Sequence, residues 1–242
     1  MRVGVIGGGQ LARMMIPPAV ALGIELRVLA ETESSSADLA ATAVGDYRDA
    51  DTVLAFAADV DVVTFDHEHV PQGVLDRLVA SGVAVHPGPH ALAVAQDKTV
   101  MRERLSAIGA PVPDWARVAD AAELGAFLAA HGGVAVVKTP RGGYDGKGVR
   151  VIRDAAAIDD WFETAGEDGL LLEEFVPFRR ELSQMIARRP SGQMAAWPLV
   201  ETVQKDGVCA EVFAPAPDGE ALADEARALA EHIATELDVT GV

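Results

Sequence analysis

The chain has one cysteine, Cys209, in 242 residues, so no internal disulfide can form. That fits a reducing compartment, and a cytoplasmic location is the expectation. Aromatic residues make up only 5%, so alanine, valine and leucine must fill most of the core. No apolar run reaches the roughly 18 residues of a membrane helix, so no membrane span is expected. The opening "MRVGVIGGG" has too short an apolar stretch for a signal peptide. Cations are scarce: 20 Lys and Arg stand against 37 Asp and Glu, a net charge of −17. Such a chain repels nucleic acid and anionic lipid at long range, and neither is an expected partner. Any anionic ligand must be held by a local basic site.

What is present is a globular pattern. Half the residues are apolar and the mean hydropathy is +0.18, enough for one large domain or two small ones. "RVGVIGGG" reads as a buried strand running into a glycine turn. "QLARMMIPPAVALG" has helical spacing, with Pro17 and Pro18 expected to kink or restart it. "IELRVLAE" and "VDVVTFD" read as strands, "GVLDRLVASG" as a glycine-closed helix and "VAVHPG" as a strand. Strands alternating with helices over the first 90 residues predict a doubly wound parallel sheet. Residues 91–109 read as one helix, and "APVPDW" as a connector. Beyond it the pattern is mixed and largely antiparallel, which predicts an α+β lobe. "RELSQMIARR" and "MAAWPLVETVQ" read as strands joined by "PSGQ". Leu222, Ala226, Leu229, Ile233 and Leu237 share one face of a C-terminal helix. "LDVTGV" reads as the start of a further strand, so the chain looks unfinished.

Two glycine-rich stretches carry the chemistry. In "GGGQLARM", Gly7, Gly9 and Ala12 satisfy G-x-G-x-x-A between strand and helix, and Glu31 ends the next strand. That is the layout of a dinucleotide site, so an NAD-binding oxidoreductase is one reading. Close packing alone also explains such glycines. "VVKTPRGGYDGKGV" differs, because Gly142, Gly143, Gly146 and Gly148 form a loop between two strands. Lys138 lies on the strand leading in, Arg141 at the entry and Lys147 in the loop. It is no Walker A loop, which needs G-x-x-x-x-G-K-[ST] before a helix. It can instead close over a triphosphate, with N–H and ammonium groups neutralising charge as a phosphoryl group leaves. "LLLEEFVPFRRE" follows. Its apolar strand ends in Glu173, Glu174, Phe175 and Val176, where backbone groups can pair with adenine. Glu181 can accept from ribose hydroxyls.

These residues resemble the ATP-grasp superfamily, and within it the branch of 5-(carboxyamino)imidazole ribonucleotide synthases. The resemblance rests on "GGGQLARM", "TFDHEHVP" at Thr64 to Pro71, "QDK" at Gln96 to Lys98, "GGYDGKG" and "EEFV…E", in the family's order along essentially the whole chain. It implies an α/β ATP-grasp fold in three parts: a Rossmann-like pre-ATP-grasp domain with its linking helix (1–109), a small lid subdomain with the glycine loop (110–173) and an incomplete C-terminal lobe (174–242). It implies ATP and Mg2+, with 5-aminoimidazole ribonucleotide and bicarbonate as substrates, and a homodimer. Lys98 and Lys138 would contact phosphates, and Gly143, Tyr144, Asp145, Gly146, Lys147, Gly148 and Val149 would cover them. Glu173, Glu174, Phe175 and Val176 would hold adenine, Glu181 the ribose, and Gln204 another part of the nucleotide. Gln10, Leu11 and Glu68 would face the ribonucleotide. Tyr144, Asp145 and Lys147 would border the carboxyphosphate, with Asp145 either orienting Lys147 or assisting proton loss.

His67, Glu68 and His69 resemble a metal cluster, but strand alternation would separate neighbours and no third ligand is evident, so no metal ligand is assigned. Family members continue past "VTGV" into acids that bind magnesium. The chain therefore reads as lacking its C-terminal third, and by itself is expected to turn over poorly. The sister enzyme, formate-dependent glycinamide ribonucleotide transformylase, is the alternative within the superfamily. A non-catalytic nucleotide-sensing module is another.

Overall fold

The first strand, β1 (Arg2–Ile6), is buried at Gly4, Val5 and Ile6 and sits inside a parallel sheet. The computed structural model describes residues 1–143 and 146–242, apart from the side chains of Asp159 and Glu167. It contains two compact units: Met1–Ala93 with Val239–Gly241, and Val94–Asp238 with Val242.

In the first unit β1 is followed by α1 (Gln10–Ala21), β2 (Glu25–Ala30), β3 (Ala41–Val44), α2 (Ala50–Ala57), β4 (Val62–Phe65) and α3 (Gln72–Ala80). The sheet order is β3-β2-β1-β4, all parallel, with Val5 beside Val28 and Thr64. Alternation sends Val5, Val28 and Ala30 to the face that packs Ala12 of α1. Ile6, Leu29 and Val63 go to the other face, against Val53, Phe56, Leu75 and Leu78 of α2 and α3. This is the doubly wound arrangement that the alternating pattern predicts. Two local expectations differ. Pro17 and Pro18 lie inside an unbroken α1, and "VAVHPG" contributes only a single parallel bridge, Val63 to Val85, in place of a strand.

α4 (Pro89–Gln96) and α5 (Lys98–Ala107) replace the one helix expected over 91–109. Asp97 causes the break. Its backbone is extended (φ −137°), and its carboxylate accepts from the amides of Thr99 and Val100, capping α5.

The second unit continues with β5 (Trp115–Val118), α6 (Ala121–Ala130), β6 (Ala135–Lys138), β7 (Val149–Ile152), α7 (Asp159–Ala165) and β8 (Leu170–Glu174). These strands form an antiparallel sheet in the order β5-β8-β6-β7. Val118, Ala135, Val137, Ile152, Leu170 and Leu172 point to a core with Leu124, Phe127 and Leu128 of α6. Lys138, Leu171 and Glu173 lie on the opposite face. β9 (Glu181–Ser183), β10 (Ile186–Arg188), β11 (Met194–Ala196), β12 (Val200–Lys205), β13 (Val208–Phe213) and α8 (Glu220–Glu236) complete the chain. Each of the two long strands expected here is divided. β10 and β11 make one hairpin, and β9 joins β12 and β13 in another sheet. The Gln184 side chain, bonded to the carbonyls of Met185 and Trp197, ties the ends of the first hairpin. Among the described residues no helix is long and apolar enough to cross a membrane.

Candidate functional site

Each unit carries part of the predicted site. In the first, the glycine turn meets the loop that follows β4. Gly7 has φ +103°, and a Cβ there would stand 2.8 Å from the His67 ring, so only glycine fits. Asp66 accepts from the Gly9 amide (2.7 Å) and the Ala12 amide (2.6 Å). Glu31 accepts from the Gly8 amide (3.1 Å) and lies 3.2 Å from Nε2 of His67. Nδ1 of His67 accepts from the His69 amide, which leaves Nε2 as the protonated nitrogen that donates to Glu31. Burial pushes the Glu31 carboxyl up, but its bonds to Gly8 and His67 prevail and hold it below 4.5.

This geometry overturns the dinucleotide reading. A dinucleotide site would turn Glu31 toward a ribose; here it faces the glycine turn. The amides of Gly8, Gly9 and Ala12 are already bound to carboxylates. A pyrophosphate placed there would meet two negative charges in place of open N–H groups. Among the described residues, the amides of Gln10 and Leu11, at the start of α1, find no hydrogen-bond partner. These are the residues assigned to the ribonucleotide, and both side chains are exposed. Glu68, half-buried, belongs to the same loop as Asp66 and so lies near them in the fold. His67 to His69 lie in the loop beyond β4, so strand alternation does not govern them. Both nitrogens of His67 are engaged by protein groups.

In the second unit Lys98 opens α5. Its amide donates to the Pro140 carbonyl (2.8 Å) and its Nζ to the Gly142 carbonyl (2.6 Å), pinning the entry of the glycine loop. Arg141 donates to Asp97 (3.0 Å). Burial raises the Asp97 pKa, while Arg141 and the two capped amides outweigh that and hold it below 3.8. Gly143 (φ +73°) and Gly148 (φ +73°) meet back to back: a Cβ on Gly143 would overlap the Lys147 carbonyl, and one on Gly148 would strike Thr139. The exposed Lys147 lies between Gly146 and Gly148. A Cβ on Gly146 would stand 3.2 Å from Cα of Gly207, so the loop reaches the turn between β12 and β13. Gln204, exposed on β12 opposite Cys209, is on that hairpin. Val149 begins β7. Tyr144 and Asp145 lie outside the described residues.

β8 supplies the remaining groups. Glu173 is only 5% exposed. It accepts from Nζ of Lys138 (2.6 Å) and from Nε of Arg102 on α5 (2.6 Å). Burial pushes its carboxyl up, but these two bonds win and keep it below 4.5. Its side chain is therefore committed to the two cations, and its backbone lies in the ladder between Trp115 of β5 and Val136 of β6, so the adenine edge begins after it. The Glu174 amide donates to the Asp114 carbonyl. Phe175 and Val176, both exposed, have amides with no partner among the described residues, as an adenine edge requires. Glu181 is half-buried on β9, opposite Thr202.

Sequence reasoning missed Asp66, Asp97 and Arg102. The pairing of Arg102 with Lys98 at i,i+4 on one helix face was the available signal for the last. Asp66 and Asp97 act through partners that no local motif names.

Comparison with known proteins identifies the family and the fold. A model of the ATP-grasp domain matches residues 103–242, and one of the ribonucleotide synthetase preATP-grasp domain matches residues 1–96. The chain is 49% identical over 245 residues to an N5-carboxyaminoimidazole ribonucleotide synthase of Mycobacterium tuberculosis, covering 99% of this chain and 57% of the relative. It is similar in fold to a crystallised ADP complex of an N5-carboxyaminoimidazole ribonucleotide synthetase (TM-score 0.89, 31% identity, 98% of this chain and 63% of the other). A further likeness is to the Aspergillus clavatus N5-carboxyaminoimidazole synthase in complex with ADP and 5-aminoimidazole ribonucleotide (TM-score 0.86, 28% identity, 99% and 63%). The chain thus spans little more than half the length of curated relatives such as the mycobacterial one.

Proposed function

Because the chain belongs to the ATP-grasp family, we propose that it acts in the carboxylation of 5-aminoimidazole ribonucleotide by ATP and bicarbonate. Bicarbonate oxygen attacks the γ-phosphorus, giving carboxyphosphate and ADP. The exocyclic amine then attacks the carboxyl carbon. Phosphate leaves, the amine loses a proton, and the N-carboxylated ribonucleotide forms. The reading is supported by one arrangement above all. The glycine loop is pinned by Lys98 and Arg141, beside Lys138 and a strand end whose amides at Phe175 and Val176 are open.

Each group has a chemical reason. Lys98, Lys138 and Lys147 place positive charge where phosphate charge develops, in a chain that is otherwise acidic. The loop from Gly143 to Val149 excludes water, which would hydrolyse carboxyphosphate. Of the stretch Glu173 to Val176, the strand end from Glu174 to Val176 offers backbone to adenine, with Glu181 at the ribose and Gln204 at the edge of the nucleotide. In the first unit, the open amides of Gln10 and Leu11 and the carboxylate of Glu68 receive the ribonucleotide. Tyr144 and Asp145 are assigned to the carboxyphosphate by resemblance. ATP enters as its magnesium complex. Among the described residues no three His, Cys, Asp or Glu side chains form a set that fits a metal ion, and no step is assigned to it. The three-part division at 109 and 173, a homodimer and a cytoplasmic location complete the proposal.

The deciding measurement is phosphate release by the full-length protein. It is expected to need bicarbonate and to be stimulated by 5-aminoimidazole ribonucleotide. Stimulation by glycinamide ribonucleotide with formate, and not by bicarbonate, would move the assignment to the sister enzyme.

A further inference from the structure

We infer that Arg102 and Glu173 are positioning residues that set the charge and place of the Lys138 ammonium, with Arg102 providing the surplus charge that lets Lys138 attract a phosphate. The inference rests on the nucleotide reading of the site.

The argument begins with the register. β6 and β8 pair antiparallel with Lys138 opposite Leu171, so Glu173 is the diagonal neighbour of Lys138 on the same face. Both long side chains can meet there, and they do, at 2.6 Å. Glu173 alone would neutralise Lys138. A buried one-to-one pair carries no net charge, and its ammonium offers little to a polyanion. Arg102 changes this. It comes from α5, one helical turn after Lys98, and donates to the other carboxylate oxygen at 2.6 Å. The trio then has two cations and one anion, a net charge of +1. One carboxylate is divided between two cations, and the Lys138 ammonium keeps donors for a ligand.

Burial makes the arrangement effective. The Arg102, Lys138 and Glu173 side chains are 18%, 22% and 6% exposed. Water screens the trio weakly, and a change in one member is felt by the others. The same helix carries Lys98 on the loop entry. α5 therefore supplies one cation to the lid and another to the floor of the same site. Simple stapling of α5 to the sheet would also use a salt bridge. It would not require the second cation to share an acid with a ligand-facing lysine.

The test is a double-mutant cycle in the full-length protein, with Mg-ATP binding measured directly and KM for ATP measured beside kcat. Arg102→Met is expected to raise KM for ATP about tenfold, with a much smaller change in KM for the ribonucleotide. Arg102→Lys is expected to recover most of that loss, because it restores charge. In a Lys138→Met background, Arg102→Met is expected to add little, because it acts through Lys138. If Arg102→Met does not fold, Arg102→Gln takes its place against Arg102→Lys. Unchanged ATP affinity in the folded variants, or full additivity with Lys138→Met, would overturn the inference and leave the proposed function standing. Wild-type protein that fails to bind Mg-ATP would overturn both.

Discussion

Asp66 spends both carboxylate oxygens on the start of α1, one on the Gly9 amide and one on the Ala12 amide. It is a cap delivered from another element, and it acts as a helix N-cap does: an anion satisfies orphan N–H groups and meets the positive end of the helix. Asp66→Ala leaves two donors of a partly buried turn unsatisfied. It is expected to cost about 1–2 kcal/mol of stability, read as a lower urea midpoint. Asp66→Asn keeps one acceptor oxygen and is expected to lose less. Equal stability of all three proteins would show that water replaces the carboxylate at no cost. The glycines were legible in the sequence because a turn writes its need locally. The partner was not, because it lies 54 residues from Ala12 and "FDHEHV" carries no mark of a cap. Glu31 was legible as an acid at a strand end, yet its target was not: the same position serves a ribose in one fold and a glycine amide in this one.

At the scale of elements, the loop between β6 and β7 is closed by contacts that only glycine permits. The Thr139 amide bonds the Gly148 carbonyl at 2.9 Å, and the left-handed Gly143 lies against the Lys147 carbonyl. Gly143→Ala adds a methyl that overlaps that carbonyl, in a backbone region costly to an L residue. The loop must open or shift, while β6 and β8 keep their ladders. The expected outcome is a fall in kcat of about tenfold or more, with ADP affinity much less affected, because the adenine edge is at Phe175 and Val176. An equal loss of ADP binding would show that the loop holds nucleotide and does not only cover the reaction. Here the sequence was informative, since strand, loop and strand are consecutive. It was weaker after Arg179. There two long predicted strands are divided by Gln184, whose amide bridges the Met185 and Trp197 carbonyls. β13 reads poorly because it is exposed throughout and lacks an alternating burial pattern. The single helix expected over 91–109 failed for a related reason: its apolar spacing continues through Asp97, and only the cap breaks it.

For the whole molecule, charge sets two opposing trends with pH. At neutral pH the net charge is −17, and self-repulsion opposes the compact state. Acidification toward the pI near 4.6 relieves that repulsion. The carboxylates of Glu31, Asp97 and Glu173 work the other way. Their folded pKa values lie below the ordinary 4.5, 3.8 and 4.5. The stability such a group contributes is complete above its ordinary value and is lost as pH falls through the depressed one. The first trend therefore dominates on the way down from pH 7, and the second takes over below about pH 4.5. The urea midpoint is expected to rise slightly from pH 7 toward pH 5 and then fall steeply. Glu173→Gln isolates the most buried of the three, because glutamine resembles the protonated acid. The variant is expected to be less stable than the parent at pH 6, with the gap narrowing as pH falls and closing at the acid end. A gap that stays constant across the range would mean that the Lys138 and Arg102 bonds do not depress Glu173, and that burial and its partners cancel.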